Sequence, residues 1–265
     1  MSITNSILFK NYSSNELKKL TSEIQLIILP IGSIEQHGSH LPVDTDTFIA
    51  YNLALILANK LNKQYKLKAL VIPPIYYGVS IEWLKYPGTI TLRPSTLSMI
   101  VEDVILSLIT NGLNKILILN AHGGNVESIR IGVKNAMMKL QYEGVSTYIK
   151  VIIMEWWKVI DEELRELFPS TPIFTHADEI ETSMYLALGG KLKNELKTLE
   201  MPLWLSIEKA YGGKVNYYDT KEIKRKISFT IRDVDELRRR GLKLLEAFCR
   251  KAQEIIVKLI DTNIR

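Results

Sequence analysis

Histidine and carboxylate residues gather in three short segments of this 265-residue chain, and all four of its histidines lie in them. The segments are Glu35 to His40 with Asp46 shortly after it, Asn120 to Asn125 around His122, and His176 to Glu181. Imidazole and carboxylate side chains are ligands that zinc, manganese and iron accept. The three segments together therefore predict a metal site.

The first segment follows a predicted strand and precedes a predicted helix. Glu35 and His37 are two residues apart, so in extended chain both side chains point to the same side and can converge on one pair of ions. Asp46 lies at or near the start of the next helix, where the helix dipole favours a carboxylate that can bridge two cations. The alternative is a turn with an incidental histidine and a helix-capping aspartate.

The second segment lies where a buried strand opens into a helix. This is the carboxyl edge of an open parallel sheet, where binding sites collect. Gly123 and Gly124 allow close backbone approach, and the N–H groups at the helix start suit an anion or oxyanion. A phosphate loop without metal is the alternative, although the glycine spacing of such loops is absent. Asn120 would either orient His122 or merely end the strand.

The third segment straddles a predicted helix start. His176 and Glu181 are five residues apart, so one can reach a site from the loop and the other from the first helical turn. The alternative is an exposed acidic cap, because Asp178 and Glu179 favour a helix N-terminus in any case.

The elements that must position these segments alternate between apolar and amphipathic stretches. This alternation predicts one α/β domain over residues 1–265, with a mostly parallel sheet. Strands are predicted at Leu26–Ile34, Ala69–Ile75, Gly88–Leu92 (an edge or hairpin strand), Lys115–Leu119 and Thr147–Met154. Helices are predicted at Asp46–Leu61 (capped by Thr45 or Asp46), from Ser95, from the glycines to about Tyr142, and at Glu179–Leu188 and Asp233–Ile260. Loops and short strands are predicted over Lys191–Ile231.

Composition excludes several classes of function. The single cysteine, Cys249, rules out a disulfide framework or a cysteine-based zinc site and fits a reducing cytoplasm. No window approaches the ~18 apolar residues of a membrane helix, and no signal peptide is evident. The net charge of +5 is concentrated between Lys221 and Arg240. We interpret that region as a solvated helix face rather than a nucleic-acid site.

Several motifs resemble those of the creatininase (creatinine amidohydrolase) family. The run Leu29–Pro42 followed by Thr45 and Asp46 resembles the opening signature of the family. Later blocks follow in the same order, at Tyr77–Ser80, Pro87–Thr89, Asn120–Asn125 and His176–Ser183. The resemblance implies a three-layer α/β/α sandwich around a mostly parallel sheet, two divalent metal ions per subunit (Zn, Mn or Fe), and assembly as a homohexamer. The family includes creatininase itself, an archaeal formamidopyrimidine deformylase and a peptidase that trims a redox-peptide precursor.

The resemblance also implies roles for individual residues. It implies the metal ligands Glu35, His37, Asp46 and His122, with Asp46 bridging, and Glu181 either completing the ligand set or acting as the base. His176 is the candidate acid for the departing amine. We predict substrate contacts from Ser80, Gly123, Gly124 and Trp156, although a tryptophan at a strand end more often packs. We also predict hydrogen bonds to the ligands from His40 and Asn120.

Three departures from the family pattern bear on the substrate. Creatininase proper has Tyr and Glu after its equivalent of His122, where this chain has Gly123 and Gly124, which argues against creatinine. Trp83 stands where many members carry histidine. The usual loop beyond Lys191 is only faintly recognisable. The chain is therefore predicted to be closer to the archaeal deformylase-like members than to creatininase proper.

The function predicted from sequence is hydrolysis of a non-peptide C–N amide bond in a small molecule by metal-activated water, without nucleic-acid or membrane partners. The best specific guess is a formylamino-pyrimidine nucleotide, because the basic charge balance and the glycine-rich helix start suit a phosphate-bearing substrate. Alternatives within the family are creatinine hydrolysis and peptide trimming. A different class is a non-catalytic protein in which metal staples the oligomer.

Overall fold

The computed structural model describes residues 6–171, 176–196, 199–202, 224–227, 231 and 233–261. These residues form two compact units. The first unit takes the described parts of Met1–Glu35, Val43–Ile160 and Glu246–Arg265, and the second takes those of Gln36–Pro42 and Asp161–Leu245. A single domain over residues 1–265 stays a prediction.

The first unit is built on a four-stranded parallel sheet. Its strands are β1 (Leu26–Ile31), β2 (Ala69–Val71), β3 (Lys115–Asn120) and β4 (Lys150–Glu155), in the order β2-β1-β3-β4. Its helices are α1 (Ser14–Leu20), α2 (Thr45–Tyr65), α3 (Pro94–Thr110), α4 (Val126–Tyr142) and α5 (Trp156–Val159), and short 3-10 turns lie at Phe9–Asn11, Ile81–Trp83 and Gly123–Asn125. The predicted α/β sandwich around a parallel sheet is confirmed.

The central strands are apolar because both faces of the sheet are covered. All six residues of β1 are buried, and so are five of the six in β3. The register pairs Leu29 with Ile118 and Ile31 with Asn120. Near-continuous apolar runs are typical of parallel strands between two helical layers. This register brings the carboxyl ends of β1 and β3 side by side.

Helices cover the sheet on its two faces. On one face, α3 and α4 pack against each other and bury Leu97, Val101 and Ile129 with Ile27 and Leu29 of β1. On the other face, α2 packs against β1 and β2 through a row of buried residues that includes Ile49, Leu53, Leu57 and Leu61. Such a row, spaced at three or four residues, is the buried stripe of an amphipathic helix.

Helix α2 begins directly against the end of β1. A Cβ atom added to Gly32 would lie 2.3 Å from Thr47 Cα, so only glycine allows this approach. The helix starts at Thr45, which puts Asp44 at the cap position, with no side-chain capping bond, and Asp46 inside the first turn. The prediction that Thr45 or Asp46 caps the helix is wrong by one or two residues.

The described residues of the second unit hold helices and one pair of strands. It contains α6 (Asp161–Leu167), α7 (Glu179–Ala187), the antiparallel pair β5 (Leu199–Pro202) and β6 (Lys224–Ile227), and the start of α8 (Val234–Asp261), which continues into the first unit. Gly189, with φ of +91°, follows the end of α7, as predicted. The strands β5 and β6 fall in the segment predicted to hold loops and short strands, most of which lies outside the described residues.

The predicted strand at Gly88–Leu92 is wrong. The structure has only an isolated antiparallel bridge there, between Ile34 and Ile90. Gly88 has a φ of +88°, and the N–H of Leu92 donates to the Gly78 carbonyl rather than to a strand. The turn at Gly88 and this bond to a loop interrupt the ladder. Among the helices of the described residues, none is both long and apolar enough to span a membrane.

Candidate metal centre

Glu35, Asp46 and His122 meet at the carboxyl edge of the sheet in the first unit. His122 Nδ1 lies 3.2 Å from Asp46 Oδ2, and His122 Nε2 lies 3.4 Å from Glu35 Oε2. One ligand atom from each residue lies within 4.8 Å of the other two, and all three residues are buried. Two carboxylates and one imidazole at this separation match the ligand chemistry of a divalent transition metal.

The pKa of His122 reports the negative charge that Glu35 and Asp46 place around it. Burial alone would lower the pKa of the imidazole, but the carboxylates of Glu35 and Asp46 outweigh burial and raise it to about 10. The metal-free protein therefore holds a proton on His122 between the two acids. A divalent cation would neutralise the same two charges, so the residues fit a bound metal.

The ring of His122 is fixed by contacts on its Nε2 side. Nε2 lies 2.8 Å from the carbonyl oxygen of Val79 and 3.3 Å from Ser80 Oγ. Ser80 Oγ in turn lies 2.5 Å from Ser33 Oγ, and both hydroxyls are buried. An imidazole that donates its Nε2–H to a carbonyl presents Nδ1, here on the Asp46 side, to a cation.

Asn125 joins the loops that carry these residues, and sequence reasoning assigned it no role. Its Oδ1 accepts from the N–H of Val79 at 2.9 Å, and its Nδ2 donates to the Gly32 carbonyl at 2.8 Å and to Asn120 Oδ1 at 3.3 Å. Asn120 exchanges two hydrogen bonds with the backbone of His122, at 2.8 and 3.2 Å. The only sequence signal for Asn125 is its position at the start of a predicted helix. Its partners Val79 and Gly32 are distant in sequence, so no local pattern reveals these bonds.

The two glycines after His122 have different surroundings. A Cβ atom on Gly124 would lie 2.1 Å from the Val79 carbonyl oxygen and 2.6 Å from His122 Nε2. A Cβ atom on Gly123 would have nothing within 4 Å. Gly124 therefore leaves room for the histidine ring, whereas Gly123 borders open space.

In the second unit, His37 and Glu181 form a buried pair. His37 Nε2 lies 3.5 Å from Glu181 Oε2, and the same oxygen accepts from the N–H of Ala177 at 2.6 Å. Ala177 has a φ of +48°, a left-handed conformation that is unusual for alanine and marks local strain. Asp178 caps α7 by accepting from the N–H groups of Ile180 and Glu181.

His176 lies beside this pair. Its ring centroid is 4.4 Å from that of His37, and its Nε2 lies 2.6 Å from the carbonyl oxygen of Gln36 and 3.0 Å from the Gln36 side-chain amide. The shorter contact indicates that Nε2 carries a hydrogen and donates it to the carbonyl. This bond fixes the orientation of the His176 ring, and a role as general acid stays a prediction.

His40 lies in the same unit as a buried neutral imidazole. Its Nε2 lies 3.1 Å from the hydroxyl of Thr182, the residue after Glu181. Burial, with smaller contributions from His37 and His176, lowers its pKa to about 4. His40 is therefore uncharged at neutral pH.

The predicted substrate contacts lie at different depths. Gly123 and Gly124 are exposed, whereas Ser80 and Trp156 are both fully buried. Trp156 makes an edge contact with Trp157, with ring centroids 6.2 Å apart. As positioned here, neither buried side chain offers surface to a substrate, and their roles stay predictions.

Comparison with known proteins identifies the family. The creatininase family model, described as creatinine amidohydrolase, matches residues 10–202. The chain belongs to the creatininase family, as its motifs predicted.

Three relatives of known function show how varied the family is. A mycofactocin precursor peptide peptidase from Mycolicibacterium smegmatis is 35% identical over 127 residues, or 48% of this chain and 49% of that protein. Creatinine amidohydrolase from Pseudomonas putida is 28% identical over 187 residues, or 67% and 69%. A 2-amino-5-formylamino-6-ribosylaminopyrimidin-4(3H)-one 5'-monophosphate deformylase from Methanococcus maripaludis is 26% identical over 218 residues, or 79% and 78%. The match spans about half the length of the peptidase.

A solved structure of a manganese form of creatininase shares the fold. It has a TM-score of 0.74 at 21% identity, covering 97% of this chain and all of that chain. At this identity the likeness speaks for the fold alone.

Proposed function

We propose that this protein is a metal-dependent amidohydrolase that cleaves a non-peptide C–N amide bond in a small molecule. The observation that carries the proposal is the buried group of Glu35, Asp46 and His122, in which two carboxylates face one imidazole. Membership in the creatininase family supports it.

The proposed ligands are Glu35, His37, Asp46, His122 and Glu181, which would hold two divalent ions (Zn, Mn or Fe). When bound, such ions lower the pKa of a water molecule toward ~7 and polarise a substrate carbonyl.

The protein's own residues supply the remaining steps. Glu181 either completes the ligand set or accepts the proton of the attacking water. The backbone N–H groups near Gly123 and Gly124 would stabilise the negative oxygen of the tetrahedral intermediate, a contribution of about 3–4 kcal/mol for one good donor. His176 would donate a proton to the leaving amine.

For the substrate we propose a formylamino-pyrimidine nucleotide. The deformylase relative is matched over 79% of this chain. The loop at Gly123 and Gly124 also lacks the Tyr and Glu that mark creatininase proper. Creatinine hydrolysis remains a lesser proposal, whereas peptide trimming has its own support in the 35% identity to the mycofactocin peptidase. We also propose that the protein is a homohexamer, by resemblance to the family, and that it is cytoplasmic, because it has a single cysteine.

A substrate panel tests this function. The metal-reconstituted protein is incubated with a formylamino-pyrimidine ribonucleotide, creatinine and a short peptide, and released formate, creatine or amino acid is measured. The proposal predicts formate release that a chelator abolishes. Peptide cleavage alone would favour the second candidate, and bound metal with no hydrolysis of any substrate would favour a metal that only staples an oligomer.

A further inference from the structure

Two cations share one buried carboxylate at the same edge of the sheet as His122. Glu155 is the last residue of β4 and is only 7% exposed. It pairs with Lys158 of α5, and its Oε1 lies 3.7 Å from an Arg130 guanidinium nitrogen on α4. The side chains of Arg130 and Lys158 are 46% and 56% exposed, so both cationic groups reach solvent.

The sheet register places this cluster close to the metal centre. Glu155 is paired with Asn120 across adjacent strands, and strands lie about 4.8 Å apart. Asn120 is the residue that holds the backbone of His122. Arg130 lies one turn into the helix that follows the exposed Gly123 and Gly124.

We propose that Arg130 and Lys158, held in place by Glu155, bind the phosphate group of the substrate. The proposal rests on the proposed function, since it takes the substrate to be a nucleotide. Arginine recognises phosphate oxygens with paired N–H donors, and lysine adds a point charge. Neither residue belongs to the proposed ligands or to the groups that move protons, so both are specificity-determining residues.

The charges of the cluster leave Arg130 available to an anion. Glu155 is neutralised by Lys158 at close range. The other acid that contacts Arg130 is Glu127, at 3.1 Å, and its side chain is 78% exposed. An ion pair this exposed to solvent contributes little free energy. An incoming phosphate can therefore displace Glu127 from the guanidinium.

Binding of uridine 5′-monophosphate and of uridine, measured by calorimetry on the full-length metal-reconstituted protein, tests this assignment without turnover. The wild-type protein should bind the monophosphate at least about tenfold more tightly than the nucleoside. Arg130→Ala and Lys158→Ala should each remove most of that preference, whereas Glu127→Gln should increase it. Lys139→Ala, on an exposed turn near the far end of α4, is the control for lost charge and should leave the preference unchanged.

Equal affinity of the wild-type protein for the two compounds, or equal losses in Arg130→Ala and Lys139→Ala, would overturn the proposal. Its failure is distinguishable from failure of the proposed function. Formate release from a nucleotide without any phosphate preference contradicts only the phosphate site. Phosphate preference without formate release contradicts only the deformylase activity.

Discussion

His122 Nδ1 lies 3.2 Å from Asp46 Oδ2, which joins the loop after β3 to the first turn of α2. Asp46 is inside the helix rather than at its cap, so its side chain points to the histidine instead of closing the helix end. The contact places a carboxylate where the helix dipole favours negative charge. The contact therefore links a proposed ligand on a loop to one inside a helix, and the regular helix geometry holds Asp46 in place.

Gly124 is predicted to be essential for the position of His122. Gly124→Ala should lower the free energy of unfolding by about 1–3 kcal/mol, because the new methyl group overlaps the Val79 carbonyl and the His122 ring. The matched control is Gly123→Ala, whose methyl group meets no atom within 4 Å. Chemical denaturation compares the two variants, and equal free energies of unfolding would show that Gly124 does not hold this close approach.

Asn125 is predicted to position the loops around the metal centre. Asn125→Ala would leave the Val79 N–H and the Gly32 carbonyl without their buried partner, at a cost of about 1–3 kcal/mol for each group. The variant should also bind metal more weakly, because Asn120 and His122 lose their support. Asn135→Ala, on an exposed part of α4, serves as the control. Unchanged metal affinity in a destabilised Asn125→Ala would limit the residue to a structural role.

His176 is predicted to act on the leaving group without holding metal. His176→Asn should lower kcat by about 10²–10⁴, the usual effect of losing a general acid. Metal content, measured by mass spectrometry on the same samples, should stay at the wild-type level. Loss of metal in parallel with activity would show that His176 is a ligand instead.

His40 makes a prediction about pH. Its pKa is lowered to about 4 in the folded chain, against 6.5 for an ordinary histidine. Between these values the unfolded chain binds a proton that the folded chain does not, so stability falls as pH drops from about 6.5 to 4, by up to about 3 kcal/mol. Denaturation of metal-free protein at pH 7 and pH 5 measures the loss. His40→Gln should reduce the difference between the two pH values, and an unchanged difference would assign the acid sensitivity to other groups.

Sequence patterns predicted the wholly buried strands. They failed where a hydrogen bond to a loop, rather than the local pattern, determines whether a strand forms. Lys115–Leu119 is predicted as a strand because its apolar run has no polar interruption, and the structure extends it by one residue, to Asn120. Gly88–Leu92 looks equally extended, but its Leu92 N–H bonds to a loop carbonyl, a contact that no local pattern encodes. The start of β4 at Lys150, three residues later than predicted, is a boundary that propensity does not fix.

Sequence likewise predicted some residues of the candidate site and missed others. Residue type and spacing singled out Glu35, Asp46 and His122, and the structure brings one ligand atom of each within 4.8 Å of the other two. Asn125 and Ser33 escaped notice because each acts through a partner more than 40 residues away. Their roles depend on the arrangement of the loops, which follows only from the completed fold.

Metal titration tests whether Asp46 and its neighbours bind a divalent cation. Protein stripped with a chelator is titrated with Mn²⁺ or Zn²⁺ by calorimetry, comparing the wild type with Asp46→Asn, which keeps the shape of the side chain and removes its charge. Asp44→Asn, at the adjacent helix cap, is the matched control. We expect tight binding by the wild type and by Asp44→Asn, with affinity reduced about 100-fold or more in Asp46→Asn. Equal affinity in all three proteins, or no binding by the wild type, would contradict this expectation.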